Sequence, residues 1–169
     1  MIILGVDPGL AKTGYGVIRI EGDTISHVSH NIISTDAKIQ TGNRLEIIFS
    51  KITDAVKLHK PDYAAVENLY FARNISSAFP VAQARGVVLL ALAQGEIDTR
   101  EFSPLEIKQA ITGNGRAEKR QVQELVRFLL ALKEIPKPDH AADALAAAIC
   151  CYHMVSAERK MNKEGDADD

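Results

Sequence analysis

The sequence is poor in the features that mark secreted, membrane-spanning or repetitive chains. Two cysteines occur in 169 residues, and they are neighbours, Cys150 and Cys151, inside an apolar helical stretch. The usual disulfide geometry between them is closed off, and buried thiols in a reducing compartment are expected. No basic segment precedes the first apolar run, as a secretory signal would require, and no apolar stretch is long enough to span a bilayer. No internal repeat is visible. These absences predict a soluble cytoplasmic protein, and the length suits one domain able to bury a core without staples.

Strong charge of either sign is also missing, since the formal net charge is −2. All of it resides after residue 157, where Glu158, Glu164, Asp166, Asp168 and Asp169 outnumber Arg159, Lys160 and Lys163. Residues 1–156 are therefore read as one domain, and residues 157–169 as a charged, disordered tail. Within the neutral body, Lys108, Arg116, Lys119 and Arg120 cluster around a single acid, Glu118, and Asn68 to Gln94 holds Arg73 and Arg85 with no acid at all. Both segments suit a phosphate-bearing partner.

The order of elements points to an α/β protein with a mixed sheet. Ile2 to Val6 read as a buried strand stopped by Pro8 and Gly9, and Thr13–Ile20 and Thr24–Thr35 as a hairpin turning at Glu21-Gly22-Asp23. Leu45, Ile48, Phe49, Ile52 and Val56 recur at helical spacing up to Lys60-Pro61, before a short strand, Tyr63–Glu67. A helix entered near Pro80 spans Ser76–Gln94, so apolar all round that its second side is expected to meet another subunit. Ile97–Phe102 makes the fifth strand. Helices then follow from Ser103-Pro104, over Glu118–Leu132, and over Asp139–Val155.

Asp7 and Glu67 each end a core strand, at the edge of the sheet where ligands gather. A carboxylate there is costly to desolvate unless a cation meets it. The last helix carries Asp139, His140 and Asp143, with Asp143 one turn beyond either of the others on a shared face. Asp7, Glu67, Asp143 and one of Asp139 or His140 can therefore converge, while Asp139 also suits a helix N-cap. Hard oxygen donors with at most one imidazole suit Mg²⁺ or Mn²⁺. Two such ions about 3.5–4 Å apart would serve phosphodiester hydrolysis. His27, His30, His59 and His153 read as structural or surface histidines.

Four stretches, GVDPGLAKTGYGVI, VENLYFARN, SPLEIKQAITGNGRAEKRQVQ and DHAADALAAAIC, resemble the RuvC family of Holliday junction resolvases, in order and across nearly the whole chain. The resemblance implies a ribonuclease H-like, five-stranded mixed sheet flanked by helices. It implies a homodimer that cuts two opposed strands of a four-way DNA junction with Mg²⁺, two ions per site, Mn²⁺ being an alternative. Carried over by position, the catalytic and metal-binding residues are Asp7, Glu67, Asp143 and His140, where the family places aspartate or histidine; Asp139 is an extra acid beside it. The resemblance further assigns junction contacts to Tyr70 or Phe71, a base-stacking aromatic, and phosphate contacts to Lys108 and Lys119. Arg73, Arg116 and Arg120 are more generic phosphate candidates. The long apolar helix becomes the dimer contact, and a branch-migration helicase complex of RuvA and RuvB the implied partner.

Two other readings compete. Asp7-Pro8-Gly9 to Gly14 also suits the phosphate loop of an actin-like or sugar-kinase ATPase, but such enzymes enclose nucleotide between two lobes and this chain has room for one. A junction-binding scaffold with a vestigial site is disfavoured because every site position carries a competent ligand type.

Overall fold

The structure, a computed structural model, describes residues 1–68 and 75–165. Three strands come first, β1 (Ile2–Asp7), β2 (Lys12–Glu21) and β3 (Thr24–Ser34). They are followed by α1 (Thr41–His59), β4 (Tyr63–Glu67), α2 (Ile75–Gln94) and β5 (Asp98–Phe102). Three helices close the order, α3 (Pro104–Thr112), α4 (Lys119–Leu129) and α5 (Asp139–Gly165). The strands form one five-stranded sheet in the order β3-β2-β1-β4-β5. β1 runs antiparallel to β2 and parallel to β4, and β4 parallel to β5, so the sheet is mixed as expected.

β1 is buried on both faces, which accounts for its unbroken apolar run. Ile3 packs with residues of α3, α4 and α5, while Leu4 and Val6 pack with α1 and α2. β4 alternates likewise, Ala65 facing the first layer and Ala64 and Val66 the second. The pairing of Val6 with Val66 leaves Asp7 and Glu67 as the last residues of adjacent strands.

α5 lies directly on β1 and β2, because glycine and alanine leave no side chains to separate them. A methyl group at Gly5 would overlap the carbonyl of Ala144, and one at Gly14 the carbonyl of His140. Gly14→Ala is therefore expected to displace the first turn of α5 and to lower the melting temperature by about 3–10 °C, equivalent to about 1–3 kcal/mol. A thermal melt superimposable on that of the wild type would contradict this packing.

Three boundaries differ from expectation. α2 starts at Ile75 and contains Pro80, past the first turn, where it deprives the Ser76 carbonyl of its helical partner. α4 ends at Leu129, and Ala131 beyond it takes a left-handed φ of 49°. The charged segment read as a disordered tail is helical as far as Gly165. Ala157, Glu158, Arg159, Lys160 and Met161 favour helix, no breaker interrupts them, and Glu158 pairs with Arg100 of β5 at 3.7 Å. Charge alone does not end a helix whose residues favour it. Residues 166–169 lie outside the described residues.

Candidate metal centre

The loop after β1 is set by Thr13, which is fully buried. Its hydroxyl donates to the Gly9 carbonyl at 2.8 Å and accepts from the Gly9 N–H at 3.3 Å. Asp7 is thereby held at the strand end, facing the first turn of α5. His140 Nδ1 stands 2.6 Å from Asp7 Oδ2. One ligand atom from each of Asp7, His140 and Asp143 lies within 4.8 Å of the others. Among the described residues, this is the one place where three potential metal ligands converge.

Glu67 joins them from β4. Burial first, then the charges of Asp7 and Asp143 and a hydrogen bond with Asp7, push its carboxyl up to about 8. Burial also raises Asp143, although a hydrogen bond and ion pair with Lys119 oppose the shift. His140 is raised chiefly by its hydrogen bond to Asp7. Three carboxyl groups are crowded beyond what neighbouring cations neutralise, so that Glu67 resists ionising. A divalent cation would relieve this crowding, and the oxygen-rich donor set fits Mg²⁺ or Mn²⁺.

Asp139 is not brought into the cluster. It turns outward to Lys119, 3.4 Å away, with its side chain 67% exposed. Lys119 also donates to Asp143 Oδ2 at 2.8 Å. Burial disfavours the Lys119 charge, but Asp143 and Asp139 outweigh it and raise its pKa. Lys119, Lys108, Glu67 and Asp143 line one cavity, which α3 and α4 wall with Pro104, Ile107 and Val122. The mouth of α3 is built for this position. Ser103 caps it in a reciprocal capping box with Glu106, and Pro104 occupies the first turn.

Arg116 is exposed on the loop before α4. Arg120 faces away from the cluster, beside Glu118 and Glu124 in a separate hollow. Tyr70, Phe71 and Arg73 lie outside the described residues. The structure adds two basic residues that sequence reasoning passed over, Lys12 and Arg44, which share a cleft with His140. No local pattern announces them, because they come from the start of β2 and from α1, which meet only in the fold.

Comparison with known proteins gives this architecture a context. Residues 3–151 match the family model for RuvC, crossover junction endodeoxyribonuclease. A crossover junction endodeoxyribonuclease of Heliobacterium modesticaldum is 48% identical, over 92% of this chain and 96% of its own. One from Treponema denticola is 52% identical, over 87% of this chain and 83% of its own. The structure of Thermus thermophilus RuvC in complex with a Holliday junction substrate superposes with a TM-score of 0.85, at 32% identity, covering 89% of this chain and 92% of that one.

Proposed function

The chain belongs to the RuvC family of crossover junction endodeoxyribonucleases, and from that premise we propose that Asp7, Glu67, His140 and Asp143 form its divalent-metal centre. It is a metal-dependent nuclease of ribonuclease H-like fold that acts on four-way junction DNA. The observation that carries the site assignment is the convergence of Asp7, His140 and Asp143 within 4.8 Å, beside a Glu67 pushed up to about 8. In this reading Asp7, Glu67, Asp143 and His140 would hold two Mg²⁺ ions, with Asp7 central among the four. The cations supply Lewis acidity and charge neutralisation for hydrolysis of the phosphodiester.

The chain's own groups do the positioning. The hydrogen bond to Asp7 fixes the imidazole of His140, and the Nε2 atom remains to orient a water or a ligand. Lys119 and Lys108 face the same cavity as the acids, where they neutralise the phosphate under attack. Asp139 anchors Lys119 rather than serving as a ligand. Junction cleavage in Mg²⁺, set against an unbranched duplex of the same sequence, tests the reading. We expect paired cuts in the junction, none in the duplex, and none with a chelator.

The protein acts as a homodimer in this reading. Phe79 and Leu90 lie on one stripe of α2, 65% and 52% exposed, where apolar side chains invite a symmetric partner. Phe79→Glu with Leu90→Glu is expected to halve the mass seen by light scattering and to replace paired cuts with single nicks. A variant that stays dimeric would remove α2 as the interface. The cytoplasm is its proposed location, and a branch-migration complex of RuvA and RuvB its proposed partner. The buried thiols of Cys150 and Cys151, both pushed up to about 12 by burial, suit a reducing compartment. No helix among the described residues is long and apolar enough to cross a membrane.

A further inference from the structure

A second basic surface adjoins the metal centre on the flank away from Lys108 and Lys119. It is a cleft between the β1–β2 loop, α1 and α2, with a largely apolar floor that includes Leu10, Pro80 and Val81 and a rim that carries Lys12, Arg44 and His140. His140 belongs both to this cleft and to the cluster with Asp7. Lys108 and Lys119 come from α3 and α4, on the face of the sheet that α5 covers, whereas Arg44 comes from α1, on the opposite face, and Lys12 from the start of β2. A strand lying across the metal centre and past Lys119 would leave over Lys12 and Arg44.

Arg44 is built into this position. Its Nε donates to Thr35 Oγ1 at 2.8 Å, and Thr35 donates in turn to the Leu10 carbonyl at 2.5 Å through its hydroxyl. The Thr35 N–H donates to the Ala11 carbonyl at 3.0 Å. The guanidinium is thus tied through Thr35 to the β1–β2 loop just before Lys12; a guanidinium held at Nε presents its outer edge in the fork geometry that suits phosphate. None of the ion pairs among the described residues involves Lys12 or Arg44. The cleft lining contains no carboxylate.

We propose that Lys12 and Arg44 form a phosphate-binding cleft that holds the DNA strand beside the cleaved linkage, on the side opposite Lys108 and Lys119. The assignment rests on the nuclease reading above. It supplies what the four acidic and imidazole groups lack, a fixed positive contact next to the reacting phosphate on that flank. Its role is to hold register along the strand and not to take part in the chemistry.

Junction binding without divalent cation, measured at several salt concentrations, tests it. Lys12→Gln changes an exposed side chain that joins no ion pair among the described residues. It is expected to weaken binding about 5-fold at 0.15 M salt and to flatten the slope of log K against log salt by about 0.7–0.9. Arg44→Gln should do the same, and Arg44→Lys, which keeps the charge, should retain the slope. A junction with neutral methylphosphonate linkages flanking the cut should show the same loss with wild type, without a further loss on adding Lys12→Gln. Unchanged slopes for Lys12→Gln, or losses that add to those of the neutral linkages, would overturn the cleft while wild-type cleavage in Mg²⁺ continued to support the nuclease. Absence of wild-type cleavage would instead remove the nuclease reading and the cleft with it.

Discussion

Asp7→Asn is expected to lower the rate of junction cleavage by roughly 10³-fold or more, as loss of about 4 kcal/mol of transition-state stabilisation requires. Asparagine keeps the shape of the side chain and its capacity to bond His140, so folding should be spared. Junction binding should survive too, because the phosphate contacts come from Lys108, Lys119 and the flanking cleft. The effect should therefore appear in the turnover of bound junction and scarcely in affinity. It should also persist in Mn²⁺, since among the described residues Asp7, His140 and Asp143 form the one cluster of potential metal ligands. A variant that cuts within 10-fold of wild type would sink the proposal that Asp7 is the central metal ligand.

Glu67→Gln separates the stability of the site from its activity. The Glu67 carboxyl has an ordinary value of 4.5 and rises to about 8 in the fold, through burial first and then the charges of Asp7 and Asp143. Below pH 4.5 the group is protonated whether the chain is folded or not, and it carries no penalty. Between pH 4.5 and about 8 the unfolded chain loses this proton and the folded chain keeps it, so stability falls as pH rises. Above about 8 the loss is complete, on the order of several kcal/mol. His140 and Asp143 are also raised and act in the same direction.

The cation-free protein should accordingly melt at lower temperature at pH 8.5 than at pH 6. Glu67→Gln should reduce this fall and raise the melting temperature at pH 8.5, while reducing cleavage about as strongly as Asp7→Asn. Mg²⁺ should stabilise the wild type increasingly up to about pH 8, releasing protons as it binds, and should stabilise Glu67→Gln little. Calorimetry in buffers of different ionisation enthalpy reads the proton release. A Glu67→Gln variant less stable than wild type at pH 8.5 would contradict the crowding of the acids.

Much of this site was legible before the fold was known. Asp7 and Glu67 could be placed because each ends a short apolar strand at a turn signal, and strand ends in such sheets collect ligands. The helices could be placed because their apolar spacing is regular. The choice between Asp139 and His140 was not legible, since either shares a face with Asp143. Which of the two faces Asp7 follows from the rotation of α5, which the backbone contacts at Gly5 and Gly14 impose, and those depend on residues more than a hundred positions away. The resemblance to the family assigns this position to His140; in the fold His140 stands beside Asp7, while Asp139 is turned to Lys119.

The same distinction separates what was missed. The length of α5 beyond Val155 escaped because charge was read as a mark of disorder, whereas the residues themselves favour helix. Lys12 and Arg44 escaped because neither sits in a basic run, and only the packing of α1 against the β1–β2 loop brings them together.

Anomalous scattering from crystals of the protein with Mn²⁺ tests the central assignment most directly. Two peaks are predicted, both reached by Asp7, with Glu67, Asp143 and His140 as their remaining protein ligands and Asp139 still on Lys119. A peak ligated by Asp139, with Asp7 left bonded to His140 alone, would contradict it.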